Sequence, residues 1–166
     1  MPKHVLVCLP LTSEQQAEYE SVIRAANHTA TFMSARKATQ TDVDAASIII
    51  GNLPTRLLHA SPSLEWLQTS TAGYDHLLAP GVLHKDTRLT NATGAYGQAV
   101  SEHMLAQLLC LTKKLHLYRD NQSHGAWQDK GPVTSLVDAQ VLVLGAGDVG
   151  TAFARLVNAL DRKSVV

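Results

Sequence analysis

Three glycines at G-x-G-x-x-G spacing, Gly145, Gly147 and Gly150, are the residues whose type and spacing most clearly point to chemistry. They follow an apolar run of β-formers, Val141 to Leu144, that reads as a parallel strand buried on both faces. A helical stripe comes after them: Val149, Ala152, Phe153, Leu156, Val157 and Leu160. Between strand and helix each glycine has a mechanical use. Gly145 permits the tight turn, Gly147 lets a pyrophosphate approach the backbone, and Gly150 lets the helix pack closely on the strand. The free N–H groups at the helix start then face the phosphates. An acidic residue at the end of the next strand, roughly 20 positions further on, should hold the ribose, and the sequence reaches only Val166.

A second candidate is Ser70-Thr71-Ala72-Gly73-Tyr74-Asp75. Gly73 would leave backbone N–H groups unshielded and pointing outward, an arrangement suited to a small anion such as a carboxylate. The same residues also read as an Asp-capped turn entering a short helix at Asp75. Spacing alone leaves both readings open. Gly51-Asn52-Leu53-Pro54 is a further loop of the same kind.

Other chemistries find less support. The eight histidines, His4, His28, His59, His76, His84, His103, His116 and His124, form no pair at metal-ligand spacing. Cys8 and Cys110 are too few for a disulfide framework and sit in apolar runs, so reduced buried thiols are expected. Fourteen basic and fourteen acidic residues, interspersed, give zero formal charge and argue against a nucleic-acid or anionic-membrane surface. No apolar run reaches transmembrane length, and Met1 to Pro10 lacks a secretory pattern. The expectation is a cytoplasmic enzyme or binding protein without nucleic-acid or membrane partners.

The elements that must position these loops follow an α/β alternation. Strands are expected over His4–Leu9, Thr29–Met33, Ser47–Gly51, Leu64–Thr69 and Thr87–Asn91. Ser13 and Gln16 have capping-box spacing for a first helix that turns Ala17, Val22, Ile23 and Ala26 inward. A short helix starts near Thr41, and another runs from Pro54 to about Ala60. Such alternation predicts an open parallel sheet, with ligands beyond the carboxyl ends of its strands. Val100, Met104, Leu108, Leu111, Leu115 and Tyr118 then predict one long helix from about Gln98 to Asp120, roughly 30 Å in length.

Taken together, these residues resemble a known family. Leu64 through Asp75 resembles the substrate-loop signature of the D-isomer-specific 2-hydroxyacid dehydrogenases. Asn91-Ala92-Thr93-Gly94 with Val100-Ser101-Glu102-His103 resembles their entry into the nucleotide domain. Gly125-Ala126-Trp127, then Leu136 through Gly150, is similar to their approach to the dinucleotide turn. The resemblance implies a flavodoxin-like parallel-sheet substrate lobe, incomplete, over 1–97. It implies the start of a Rossmann dinucleotide-binding lobe over 98–160. Asp161–Val166 fails to continue the pattern and is expected to be a tail of non-native origin.

The resemblance further implies hydride transfer between NAD or NADP and a small 2-oxo or 2-hydroxy acid. Backbone amides of Ala72 and Gly73 would hold the carboxylate, and Leu53 would line the pocket. Val100 would contact the nicotinamide side of the cofactor, and Gly145, Ala146, Gly147, Asp148, Val149 and Gly150 would form the dinucleotide site. The family's catalytic Arg, Glu and His have no counterparts before Val166, so the chain is expected to be an N-terminal half without turnover of its own. The full-length protein is expected to be a homodimer. Some relatives sense dinucleotide without catalysis, as corepressors do, and that binding function is the alternative.

Overall fold

The computed structural model describes residues 1–58 and 61–160. The chain divides into two compact units, Met1–Thr93 and Gly94–Val166. The end of the expected helix at Ala60 and the expected tail Asp161–Val166 lie outside the described residues.

The first unit is built on five parallel strands in the order β2-β1-β3-β4-β5. These are β1 (His4–Cys8), β2 (Thr29–Phe32), β3 (Ile48–Gly51), β4 (Trp66–Gln68) and β5 (Arg88–Thr90). This is the flavodoxin-like order. The ladders pair Cys8 with Gly51, Ile50 with Gln68, and Gln68 with Thr90, so β1, β3, β4 and β5 end side by side. All five strands lie where the sequence reading puts them, trimmed by a residue or two at the ends.

Alternation of side chains gives the sheet two apolar faces. Leu6, Ile49 and Leu67 turn to one core with Val43, Leu58 and Leu77. Val5, Val7 and Ile23 form the other, with Tyr19, Ile48 and Ile50 against them. Helix α1 (Ser13–Ala25) covers the second face. Its cap sits one residue before the expected one: Thr12 accepts from the Gln15 amide, and the Gln15 side chain accepts from the Thr12 amide. Ile23 is the helix's buried residue, whereas Val22 is 66% exposed on the rim of an apolar groove that also includes Ile48, Ile50 and Trp66. The inward turn expected of Val22, Ala17 and Ala26 is therefore a misreading. Helices α2 (Gln40–Ala45, capped by Thr39 and Asp42) and α3 (Thr55–Leu58) complete the unit, with a 3₁₀ turn at Asp75–Leu77.

The second unit departs further from expectation. The long helix is two: α4 (Gly97–Thr112) and α5 (Leu115–Ser123). They separate at Lys114, which adopts φ +57. Lys113 Nζ donates to the Thr134 carbonyl at 2.8 Å, and Lys114 Nζ to that of Lys130 at 2.5 Å, so the break is tied to the following connection. The apolar residues Val100, Met104, Leu111, Leu115 and Tyr118 lie exposed along α4 and α5. Gly97 and Ser101 are the buried residues of α4, which packs against α6 (Asp148–Leu160). Val141 to Leu144 forms no regular strand, and Leu142 and Leu144 are 71% and 88% exposed. Leu142 makes a single bridge rather than a ladder, and among the described residues no strand of this unit runs beside the segment to satisfy the rest of its backbone.

Gly51 is where the sheet is least tolerant of change. Its φ is +121, and a Cβ there would meet the Cys8 carbonyl oxygen at 2.5 Å. Backbone strain of this type costs about 1–3 kcal/mol before any overlap is counted. Gly51→Ala should therefore lower unfolding stability by at least about 2 kcal/mol in urea titrations. A second test uses pH. Burial, with Asp42 nearby, pushes the Cys8 thiol from 9.0 up to about 11. The neutral thiol is favoured in the folded state, so its contribution is full below pH 9 and is lost between pH 9 and about 11. Cys8→Ala should flatten the stability slope in that window.

Candidate functional site

In the first unit the candidate loop leaves the carboxyl end of β4, between the loops that leave β3 and β5. Thr69 anchors its start. The residue is buried, its amide donates to the Thr90 carbonyl at 2.9 Å, and its hydroxyl donates to the Thr71 carbonyl at 2.8 Å. The Ala92 amide donates to the same Thr71 carbonyl at 3.1 Å. Below the loop, Trp66 Nε1 donates to Thr90 Oγ1, which donates to Gln68 Oε1, and Gln68 Nε2 donates to the Thr69 carbonyl. Strands β4 and β5 are thus locked together where the loop emerges.

The next two carbonyls are held as well. Asn91 Nδ2 donates to the Ala72 carbonyl at 2.8 Å, and Thr71 Oγ1 donates to that of Gly73 at 3.2 Å. Asn52, just after β3, accepts from the Ser70 amide at 3.0 Å and reaches Thr71 Oγ1 with its Nδ2 at 3.5 Å. In a planar trans peptide the N–H of the next residue points opposite to the carbonyl. Fixing the carbonyls of Thr71, Ala72 and Gly73 therefore turns the amides of Ala72, Gly73 and Tyr74 the other way. Those three residues are exposed, and none of their amides donates a hydrogen bond among the described residues. Three successive outward N–H groups attract an anion.

Gly73 has open space where a Cβ would stand. Leu53, by contrast, is 7% exposed and packs in the core, so its side chain is not offered to solvent and its backbone is what could line a pocket. Asn52 and Asn91 stand in stretches that the sequence singles out, but with no role read for either, although each immediately follows a strand, where a short amide side chain can reach the neighbouring loop.

The second unit holds the glycine turn. Gly145 has φ +100, which suits a tight turn. A Cβ on Gly147 would meet nothing within 4 Å, so the backbone there is open to a ligand. A Cβ on Gly150 would overlap the Gly145 carbonyl oxygen and come within 3.4 Å of Val143 Cγ1, so only glycine permits this approach of α6. The Thr151 amide is bonded to the Gly147 carbonyl, and its hydroxyl to that of Ala146. The first amides of α6, those of Asp148, Val149 and Gly150, precede any intrahelical partner and form an anion-attracting end. The Asp148 carboxylate does not lie in that opening: it sits against Gly97 on α4. Val100 is exposed one turn further along α4. The residues present fit a dinucleotide pyrophosphate: an open glycine backbone, a tight turn at positive φ and free helix-end donors. Among the described residues no three of His, Cys, Asp or Glu gather as metal ligands.

Comparison with known proteins bears on both loops. Residues 105–166 match the family model described as "D-isomer specific 2-hydroxyacid dehydrogenase, NAD binding domain". A crystal structure of a D-isomer specific 2-hydroxyacid dehydrogenase family protein from Aeromonas salmonicida superposes with a TM-score of 0.77 at 27% identity, covering 96% of this chain and 51% of that one. The chain resembles that family. Erythronate-4-phosphate dehydrogenase from Tolumonas auensis is 26% identical over 92% of this chain and 35% of its own length. D-lactate dehydrogenase from Aquifex aeolicus, solved with NAD and lactic acid, shares the fold, with a TM-score of 0.73 at 20% identity over 95% of this chain and 48% of that one. The chain spans about half the length of relatives it matches.

The close approach at Gly150 yields a test. Gly150→Ala should free α6 from the turn and raise amide exchange in residues 148–157, with the amides of β1 to β5 unchanged. Hydrogen exchange read by mass spectrometry checks this. Unaltered exchange in α6 would mean that the turn absorbs the added methyl.

Proposed function

We propose that this chain carries the carboxylate-binding loop and the pyrophosphate-binding turn of an NAD(P)-dependent oxidoreductase acting on a small D-2-hydroxy acid or its 2-oxo form. The observation that carries the reading is the loop 70–74, with its carbonyls held inward and its amides free. The family match over 105–166 supports it. So do the open Gly147 and the crowded Gly150.

In this reading the amides of Ala72 and Gly73 hold the acid's carboxylate, and the backbone at Leu53 borders the pocket. Val100 and residues 145–150 hold the dinucleotide, whose nicotinamide accepts or donates the hydride when bound. Two lobes go with the reading: 1–97 for substrate, 98–160 for dinucleotide. No Arg or His of this chain matches the family's orienting cation or proton donor. The chain by itself is therefore expected to bind without turning over, since general acid–base help alone accounts for about 10²–10⁴ in rate. A homodimer and a cytoplasmic location belong to the same proposal. The exposed apolar residues Leu111 and Leu115 favour association, and no helix among the described residues is long and apolar enough to cross a membrane.

The test joins residues 1–160 to the C-terminal half of the Aeromonas salmonicida relative, which restores the missing groups. That chimera should oxidise NADH with glyoxylate, hydroxypyruvate or pyruvate. Gly73→Val in it should raise KM for the acid at least about tenfold, with KM for NADH nearly unchanged, because the added side chain meets only open space within the protein. Equal loss of both would make the loop a folding element only. Folded chimera that binds NADH without turnover would favour the dinucleotide-sensing alternative.

A further inference from the structure

The loop's aim depends on two side chains outside it. Asn91 lies just beyond β5, and its Nδ2 donates to the Ala72 carbonyl at 2.8 Å. Its Oδ1 accepts from the Thr93 amide at 3.3 Å, which fixes which end of the side-chain amide faces the loop. Asn52 lies just beyond β3, accepts from the Ser70 amide at 3.0 Å, and supports the Thr71 hydroxyl that in turn holds the Gly73 carbonyl. We propose that Asn91 and Asn52 are positioning residues, which hold the peptide planes of the loop so that the amides of Ala72, Gly73 and Tyr74 converge on one carboxylate. The inference rests on the reading of this loop as the carboxylate site.

The physical reason is the cost of a peptide flip. An exposed loop can rotate the plane between Ala72 and Gly73 with little steric penalty, since Gly73 has no side chain and open space around it. Rotation would bury the Gly73 N–H and present the Ala72 carbonyl oxygen to the anion, turning attraction into repulsion. The bond from Asn91 is lost on that flip, so it biases the plane toward the outward N–H. Asn52 acts in the same way one step removed, through Thr71, on the plane between Gly73 and Tyr74. Neither asparagine needs to touch the acid. Their placement follows from the register, which sets the ends of β3 and β5 on either side of β4.

The experiment uses the whole chain, labelled with nitrogen-15, and titrates it with pyruvate, with the uncharged pyruvamide as control. Wild type should show saturable shifts of the Ala72, Gly73 and Tyr74 amide resonances with pyruvate and none with pyruvamide. Asn91→Ala should weaken that response about tenfold while the urea midpoint and the other amide resonances stay in place. Asn52→Ala should weaken it less and move Tyr74 most. If Asn91→Ala unfolds the loop region, Asn52→Ala carries the test. Wild-type affinity in the folded variants overturns the positioning role and leaves the carboxylate loop standing. A fall in urea midpoint that matches the loss of binding makes both residues merely structural. Wild type that does not respond to pyruvate overturns the loop reading itself, and this inference with it.

Discussion

Parallel strand pairing is the constraint from which the rest of the first unit follows. Because β3, β4 and β5 run the same way and pair in register, their carboxyl ends lie in one row. Asn52, the 70–74 loop and Asn91 are distant in sequence, yet each is the first chain beyond a strand end. An antiparallel arrangement would have sent alternate loops to opposite edges. The register depends in turn on the close approach of β1 and β3, which Gly51 permits by having no side chain toward Cys8.

Peptide planarity then converts hydrogen bonding on one side of the loop into outward N–H groups on the other. Each bond made to a carbonyl by Thr69, Ala92, Asn91 or Thr71 fixes an N–H on the opposite face. The loop needs no charged residue of its own to attract an anion, which agrees with the unremarkable charge balance of the chain. The glycine turn of the second unit presents free donors by a different device. There the free donors come from the start of α6, and glycine is required because the turn and the helix approach too closely for a side chain.

Much of this was legible in the residues. Runs such as Ile48-Ile49-Ile50 leave little choice but a buried strand, and the α/β alternation implies the parallel sheet. The turn glycines and the exposed Gly73 could be read because backbone needs leave a residue-type signature. What escaped was set by partners rather than by local pattern. Val141 to Leu144 reads as a strand, but a strand forms only against a neighbouring one, and among the described residues the segment reaches no more than a single bridge at Leu142. Val100 to Tyr118 has unbroken helical periodicity, yet Lys113 and Lys114 reach the carbonyls of Thr134 and Lys130 and the helix breaks there. The asparagine anchors left no signature, because Asn after a strand is common and its partner is known only once the fold is.

The central claim is that the backbone between Ser70 and Tyr74 is a carboxylate receptor. Crystals of the chain grown with oxalate test it most directly. Oxalate density is expected with a carboxylate oxygen about 2.7–3.1 Å from the amide nitrogens of Ala72 and Gly73, and the Asn91 bond to Ala72 intact. Oxalate found only elsewhere, or a loop whose Ala72 carbonyl points outward in its presence, would contradict it.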